Sequence, residues 1–138
     1  MEKNIVYYVW LSLACGPASP IPERLLSVFD DAESIYSADA AEISAVADIP
    51  KRTLSLLQNK DISEAQRIVS FCVHNNVGIL TIKDNKYPSR LRRISTPPLV
   101  LYYRGNLPDF DNTVCIAVVG TRNATDSGRK IAYELSRD

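Results

Sequence analysis

The sequence predicts an α+α/β protein, in which a small all-helical region precedes the beginning of an α/β domain. Apolar residues recur at helical spacing up to about Val77, and an unbroken run rich in β-branched residues, Val114–Val119, comes later. A glycine-containing loop and a second helical pattern follow that run directly. Strand, loop and helix in this order form the first unit of an α/β sheet. We therefore divide the chain into residues 1–77 and residues 78–138.

The helical part opens with Ile5–Ala14, where apolar residues recur every three or four positions until Gly16 and Pro17 end the pattern. Pro50 begins a later helix, and the longest one runs from Asp61 to Asn76. Three segments start with an Asp followed three residues on by a Glu, a spacing that predicts reciprocal caps at helix N termini. These pairs are Asp30/Glu33, Asp39/Glu42 and Asp61/Glu64. Five or six helices are expected in this part.

The pattern changes after Gly78. Ile79–Ile82 and Leu99–Tyr103 predict two strands, and Tyr87–Ile94 between them predicts a helical turn with Leu91 and Ile94 facing inward. Val114–Val119 has the composition of a strand buried on both faces, as in a parallel sheet. The last helix is expected from Ser127 to Asp138, with three inward residues, Ile131, Ala132 and Leu135.

Charge divides the chain at nearly the same point. Up to Gly78 there are six Lys/Arg against ten Asp/Glu, and from Ile79 onward ten against six, so net charges near −4 and +4 cancel. A basic half favours a polyanionic partner. No apolar run approaches the roughly eighteen residues that span a bilayer, and the N terminus lacks the layout of a signal peptide. We therefore expect a cytoplasmic protein without a membrane partner.

The loop between the Val114–Val119 strand and the last helix is the candidate functional site. Gly120 lets the chain turn where a ligand could approach, and Thr125 or Asp126 can cap the helix, whose N terminus attracts phosphate. Arg122 adds a planar cation that suits phosphate oxygens. An ordinary βα turn also needs a glycine and a cap, with Arg122 solvated, and this interpretation stays open. Neither a Gly-x-Gly-x-x-Gly nor a P-loop motif is present.

Three motifs in order resemble the DprA/Smf family of DNA-processing proteins. They are Tyr87-Pro88-x-x-Leu91, Pro97-Pro98-Leu99-Val100-Leu101-Tyr102-x-x-Gly105, and Ala117-Val118-Val119-Gly120-Thr121-Arg122 with Gly128 following. The similarity is strongest over residues 77–138. It implies that the preceding helices form a SAM-like or helix-hairpin-helix-like domain and that a Rossmann-like domain follows. Because family members continue well past the position of Asp138, we expect the α/β domain to be incomplete here.

The resemblance implies a non-catalytic cytoplasmic protein that binds single-stranded DNA and assists RecA loading during natural transformation. RecA is therefore the implied protein partner, and a homodimer is the other partner that we consider. The resemblance assigns Arg122 to the DNA surface, whereas Ser127 departs from the aromatic residue that the family commonly has there. The candidate DNA- or phosphate-binding residues are Gly120, Thr121, Arg122, Ser127, Gly128, Arg129 and Lys130.

The remaining chemically active residues have simpler interpretations. His74 stands near a helix C terminus, which favours a positive charge, and no constellation of Ser, Cys and carboxylate side chains lies beside it in the sequence. Cys15, Cys72 and Cys115 are far apart, so we expect neither a metal site nor a disulfide framework, and no cofactor is predicted. Arginines on the Tyr87–Ile94 turn are interpreted as a solvated face; they are Arg90, Arg92 and Arg93.

Two other classes of function stay open. One is a nucleotide-processing enzyme with a related Rossmann-like fold, of the phosphoribohydrolase type. The absence of a second glycine-rich loop and of an acid/base pair opposes it, and incubation with a nucleoside monophosphate would test it. The other is a protein-interaction module formed by the acidic helical region, which a pull-down with residues 1–77 would test.

Overall fold

The computed structural model describes residues 2–46 and 48–137, so Met1, Ala47 and Asp138 lie outside the described residues. Six helices come first, and a seventh separates two short strands. The elements are α1 Glu2–Cys15, α2 Ile21–Leu26, α3 Ala32–Ser37, α4 Ala40–Val46, α5 Lys51–Gln58, α6 Ser63–His74, β1 Gly78–Thr81, α7 Ser89–Arg92, β2 Val100–Tyr103 and α8 Asp126–Arg137. The helix-rich first part with about six helices is confirmed.

Helix α1 is the centre of the packed region. It contacts α2, α3, α5, α6 and both strands, so nearly every element covers some part of it. Tyr8, Val9, Trp10 and Leu11 are all buried in succession, which means that this part of the helix is enclosed on all sides, whereas Leu13 is about half exposed. Both aromatic residues, Tyr8 and Trp10, therefore pack in the core. Gly16 ends α1 with a φ of +75°, a conformation that glycine adopts without strain.

The predicted helix caps are confirmed at one of three places. Asp39 accepts a hydrogen bond from the Glu42 amide, and the Glu42 carboxylate accepts one from the Asp39 amide, each at 2.8 Å. At α3 the prediction is wrong, because Asp31 rather than Asp30 accepts from the Ser34 amide. Before α6, Asp61 accepts from the Ser63 amide, while Glu64 pairs with a different residue, Arg67.

The two strands pair antiparallel and lie against the helices. Gly78 is opposite Tyr103 and Thr81 is opposite Val100. Leu99 and Val100 belong to the same apolar core as the helix residues, so the core continues across residue 77. Gly105 has a φ of +81° and follows β2, as the sequence predicts for the residue that stops this strand. Ile94 lies beyond the end of α7, and the inward orientation expected of it is wrong, since it is about half exposed.

The predicted strand Val114–Val119 is absent from the structure. These residues have no regular secondary structure, and Val114 is 89% exposed and Val119 88%. Helix α8 forms nearly as expected, but Ile131 and Leu135 are exposed rather than inward-facing. Both corrections have the same cause. A strand of this kind is stabilised by hydrogen bonds to neighbouring strands and by helices on its faces, and the described residues place neither beside it.

Candidate functional site

The candidate loop ends in a capped helix, as the sequence predicts. The Thr125 hydroxyl accepts a hydrogen bond from the Gly128 amide at 3.1 Å, and the Thr125 carbonyl accepts one from the Arg129 amide at 2.9 Å. The first amides of a helix have no partner within the helix, and the Thr125 side chain satisfies only that of Gly128. The amides of Asp126 and Ser127 are therefore the ones placed to meet an anion.

All seven candidate residues of the loop are exposed to solvent. They lie in one continuous stretch, Gly120–Lys130, which brings three cationic side chains close to the α8 N terminus. Arg129 is 4.0 Å from Asp126, but both side chains are largely exposed, so this ion pair contributes little to stability. Arg122 and Lys130 are likewise at the surface. The stretch has the charge and the accessibility that phosphate binding requires.

The two glycines of the loop differ in their surroundings. A Cβ placed on Gly120 would meet nothing within 4 Å, and its φ is not in the left-handed range, so the predicted need for glycine at a sharp turn is not met. A Cβ on Gly128 would lie 3.3 Å from the Thr125 hydroxyl oxygen. Gly128 therefore leaves room for the cap, while the space beside Gly120 is open to a ligand.

The other chemically active residues are dispersed. The His74 ring nitrogen Nδ1 is 2.7 Å from the Ser70 carbonyl oxygen, at the exposed end of α6. Cys72 is buried, Cys115 is exposed, and partial burial raises the pKa of the Cys15 thiol to about 12. Within residues 2–46 and 48–137, no group of three or more metal-ligating side chains is arranged to hold a metal ion. Across the same residues no helix combines the length and the apolar character needed to cross a membrane.

Contacts around α7 were not predicted from the sequence. Asp111, which lies 22 positions from Ser89 in the chain, accepts hydrogen bonds from the Ser89 amide at 3.0 Å and the Ser89 hydroxyl at 2.8 Å. Arg92 donates to the Asp84 carbonyl oxygen at 2.9 Å and stands 5.5 Å from the centre of the Tyr87 ring. Nothing in the local periodicity pairs residues so far apart. The Tyr87-Pro88 motif was the only sequence signal near these contacts.

Comparison with known proteins relates residues 78–138, which include the candidate loop, to a family of DNA-recombination proteins. The family described as DNA recombination-mediator protein A matches residues 78–138. Protein Smf of Borreliella burgdorferi is 41% identical over 85 residues, which cover 62% of this chain and 26% of that protein. DNA processing protein DprA of Bacillus subtilis is 28% identical over 72 residues, which cover 52% of this chain and 24% of that protein.

The chain therefore spans about a quarter of the length of these two relatives. No solved structure matches it. The whole candidate loop, from Gly120 to Lys130, lies inside the stretch that the family matches.

Proposed function

Because the chain belongs to the DprA/Smf family, matched over residues 78–138, we propose that it binds single-stranded DNA and catalyses no reaction on it. The observation that carries the proposal is the exposed stretch Gly120–Lys130, which holds Arg122 before α8 and Arg129 and Lys130 in its first turns. Backbone phosphates supply most of the affinity of DNA-binding proteins and are held by cations and helix N termini. A surface of this kind recognises phosphates without reading a base sequence.

DNA binding by the 138-residue chain is tested by fluorescence anisotropy with an oligothymidylate and with a duplex of the same length. We expect tighter binding to the single strand, and a salt dependence that steepens by about 0.7 in log–log slope for each phosphate neutralised. Arg122→Ala should weaken binding to every sequence and flatten this slope. Arg52→Ala, which removes an exposed arginine from α5, is the matched control. Equal affinities for the two variants would remove Arg122 from the site.

We also propose the partners and the location that the family suggests. A recombination mediator acts on DNA that is to be bound by a recombinase, so RecA is the protein partner, and both meet in the cytoplasm. Adding the chain to RecA and single-stranded DNA that is coated with a single-strand-binding protein should speed the assembly of RecA filaments on that DNA. The chain with Arg122→Ala should lose this effect in proportion to its lost DNA affinity.

The division into a SAM-like helical domain, residues 1–77, and a Rossmann-like domain starting at residue 78 remains a proposal. The family match beginning at residue 78 supports it. Because Leu99 and Val100 contribute to the helical core, residues 1–77 alone should melt at a lower temperature than the full chain. Circular dichroism of both proteins tests this, and a non-cooperative melt of residues 1–77 would argue against an independent helical domain.

A second copy of the chain is the remaining proposed partner. Val114, Ile116 and Val119 are almost fully exposed, and exposed apolar segments with strand-forming sequences tend to pair between molecules. Light scattering should therefore show self-association that Ile116→Lys reverses. Monomers at every concentration, for the unmodified chain, would exclude a dimer through Val114–Val119.

A further inference from the structure

A pocket of about 370 Å³ opens between α2 and the turn that follows β1, and none of its lining residues belongs to the Gly120–Lys130 stretch. Its floor is apolar and includes Leu26, Ile82 and Leu99, of which Leu99 is buried in the main core. The charged residues that line the pocket are Lys83, Arg92 and Glu23; we call them its rim, and the apolar lining residues its floor. The volume is in the range of small-molecule sites, which are mostly apolar with a few polar groups that fix the orientation of the ligand.

Arg92 is held at this rim by contacts on two sides. It donates a hydrogen bond to the Asp84 carbonyl oxygen and packs over the Tyr87 ring. Tyr87 is itself fixed, because it is buried and its hydroxyl donates to the Pro98 carbonyl oxygen at 2.7 Å. A guanidinium held in this way has lost much of its conformational freedom before any ligand binds, which favours binding of a phosphate. The interpretation of Arg92 as part of a solvated face is therefore incomplete.

The charges around the pocket favour an anion with an apolar body. Lys83 and Arg92 outnumber the one carboxylate at the rim, Glu23. Ser19 and Ser27 also line the pocket, but the Ser27 hydroxyl already donates to the Arg24 carbonyl oxygen at 2.7 Å. Inorganic phosphate would satisfy the cations but leave the aliphatic floor in water. A nucleoside would cover the floor but leave the cations unused. A nucleotide satisfies both, with its base on the floor and its phosphate at the rim.

We propose that this pocket binds one nucleotide of a DNA strand, as a contact additional to the Gly120–Lys130 stretch. The choice of a nucleotide rests on the proposed function. No aromatic side chain lines the pocket, so the base packs on aliphatic groups and is bound with little preference for its identity. An acidic peptide with one apolar side chain has similar chemistry, and binding of such a peptide in place of a nucleotide contradicts the proposal.

The test is a titration of the ¹⁵N-labelled chain with thymidine 5′-monophosphate, followed by two-dimensional NMR. We expect shifts of the backbone amides of Ser27, Ile82, Lys83 and Arg92, and much smaller ones with thymidine or inorganic phosphate alone. Arg92→Ala should weaken the affinity at least fivefold. Arg93→Ala is the matched control, because Arg93 is adjacent to Arg92 and exposed but does not line the pocket.

Glu23→Gln gives a second variant that keeps the shape of the rim. It removes the one carboxylate among the lining residues, so the affinity for thymidine 5′-monophosphate should rise about twofold. This variant leaves the packing of Arg92 on Tyr87 untouched, so a folding defect in Arg92→Ala does not decide the outcome. Equal affinities for Arg92→Ala and Arg93→Ala, or no gain with Glu23→Gln, would overturn the proposal.

The same variants separate this proposal from the proposed function. If oligothymidylate binding depends on Arg122 but not on Arg92 or Glu23, the chain binds DNA and the pocket proposal is wrong. If thymidine 5′-monophosphate shifts the NMR signals of the pocket amides while Arg122→Ala leaves the affinity for oligothymidylate unchanged, the pocket proposal stands. The site assigned under the proposed function is then wrong. Shifts with a Phe-terminated acidic peptide and none with the nucleotide would show a peptide pocket and overturn the proposal.

Discussion

The described residues up to Tyr103 bury many of their apolar side chains, whereas none of residues 104–137 is fully buried. Val9, Leu11 and Leu25 have no exposed surface, whereas Val114 and Val119 are almost completely exposed. The difference does not come from hydrophobicity, because valine occurs in both sets. It comes from whether other elements of the chain lie close enough to cover the side chain, since burial removes apolar surface from water only when a second surface is supplied.

The largest expected difference between the two regions is in the cost of removing an apolar side chain. Leu11→Ala leaves a cavity in the fully buried centre of α1 and should lower the free energy of unfolding by about 3 kcal/mol. Leu135→Ala, on the exposed face of α8, should change it by less than about 0.5 kcal/mol. Urea unfolding followed by circular dichroism measures both. A large loss for Leu135→Ala would show that α8 is covered in solution.

The next difference concerns glycine. A Cβ on Gly78 would overlap the Tyr103 ring, directly across the β1–β2 pair. Gly78→Ala should therefore displace the ring and lower the free energy of unfolding by about 1–3 kcal/mol. Gly120→Ala meets nothing within 4 Å and should leave the melting temperature unchanged.

A further change of the ring identifies the cause of the Gly78→Ala effect. When Gly78→Ala is combined with Tyr103→Ala, the ring that the new Cβ would meet is gone. The double variant should therefore lose less free energy of unfolding than the sum of the two single losses. Additive losses would mean that the glycine acts through its backbone rather than through space for the ring.

The sequence predicts the elements better where each one is determined locally. The helix-rich first part, the β1 and β2 segments and the reciprocal Asp39/Glu42 cap follow from periodicity and short-range hydrogen bonding. The shift of the α3 cap from Asp30 to Asp31 is a one-residue error of the same local kind. The Val114–Val119 strand could not be predicted in this way, because its formation depends on neighbouring strands and not on its own composition.

The candidate site shows the same limit. The Thr125 cap and the exposed cations follow from the loop sequence, and the structure contains both. The charged lining of the pocket between α2 and the turn after β1 does not. Glu23 and Arg92 are 69 positions apart, and only the folded chain places both in the lining of one pocket. No periodicity or motif links two such positions. Long-range contacts of this kind become visible only in the folded chain.

The third prediction compares two aspartates whose pKa values both lie below the usual one. Asp31 accepts hydrogen bonds from the Ser34 amide and hydroxyl, and these bonds lower the pKa of its carboxyl. The unfolded carboxyl titrates near pH ~3.9, so below that pH the unfolded state binds protons more readily than the folded state. The stabilisation from Asp31 is therefore complete at neutral pH and is lost as the solution is acidified through the lowered pKa.

Asp31→Asn should flatten this acid dependence, and Asp31→Ala should also lower the free energy of unfolding at pH 7 by about 1 kcal/mol, the usual effect of losing a helix cap. Asp109 is the control, because bonds from Asn112 lower its pKa but it lies in the exposed region. Asp109→Asn should leave acid unfolding of the core unchanged. Thermal melts from pH 2 to pH 7 measure both, and an equal change in the two variants would contradict the distinction between the regions.

The smallest expected effect is in the reactivity of the three cysteines, which lie in both regions and can be compared first in the unmodified chain. Cys115 is exposed, whereas Cys72 is buried in α6 and the Cys15 thiol, with its pKa raised to about 12 by burial, stays protonated at neutral pH. Only a thiolate that a reagent can reach is alkylated quickly. Iodoacetamide at pH 7.5 should therefore modify Cys115 first, and mass spectrometry of the digested chain gives the three rates.

Leu11→Ala should accelerate modification of Cys15 and Cys72 by increasing the unfolded population, and should leave the Cys115 rate as it is. Protection of Cys115 equal to that of Cys72 would instead mean that Val114–Val119 is covered in solution, and the contrast between the two regions would then be wrong.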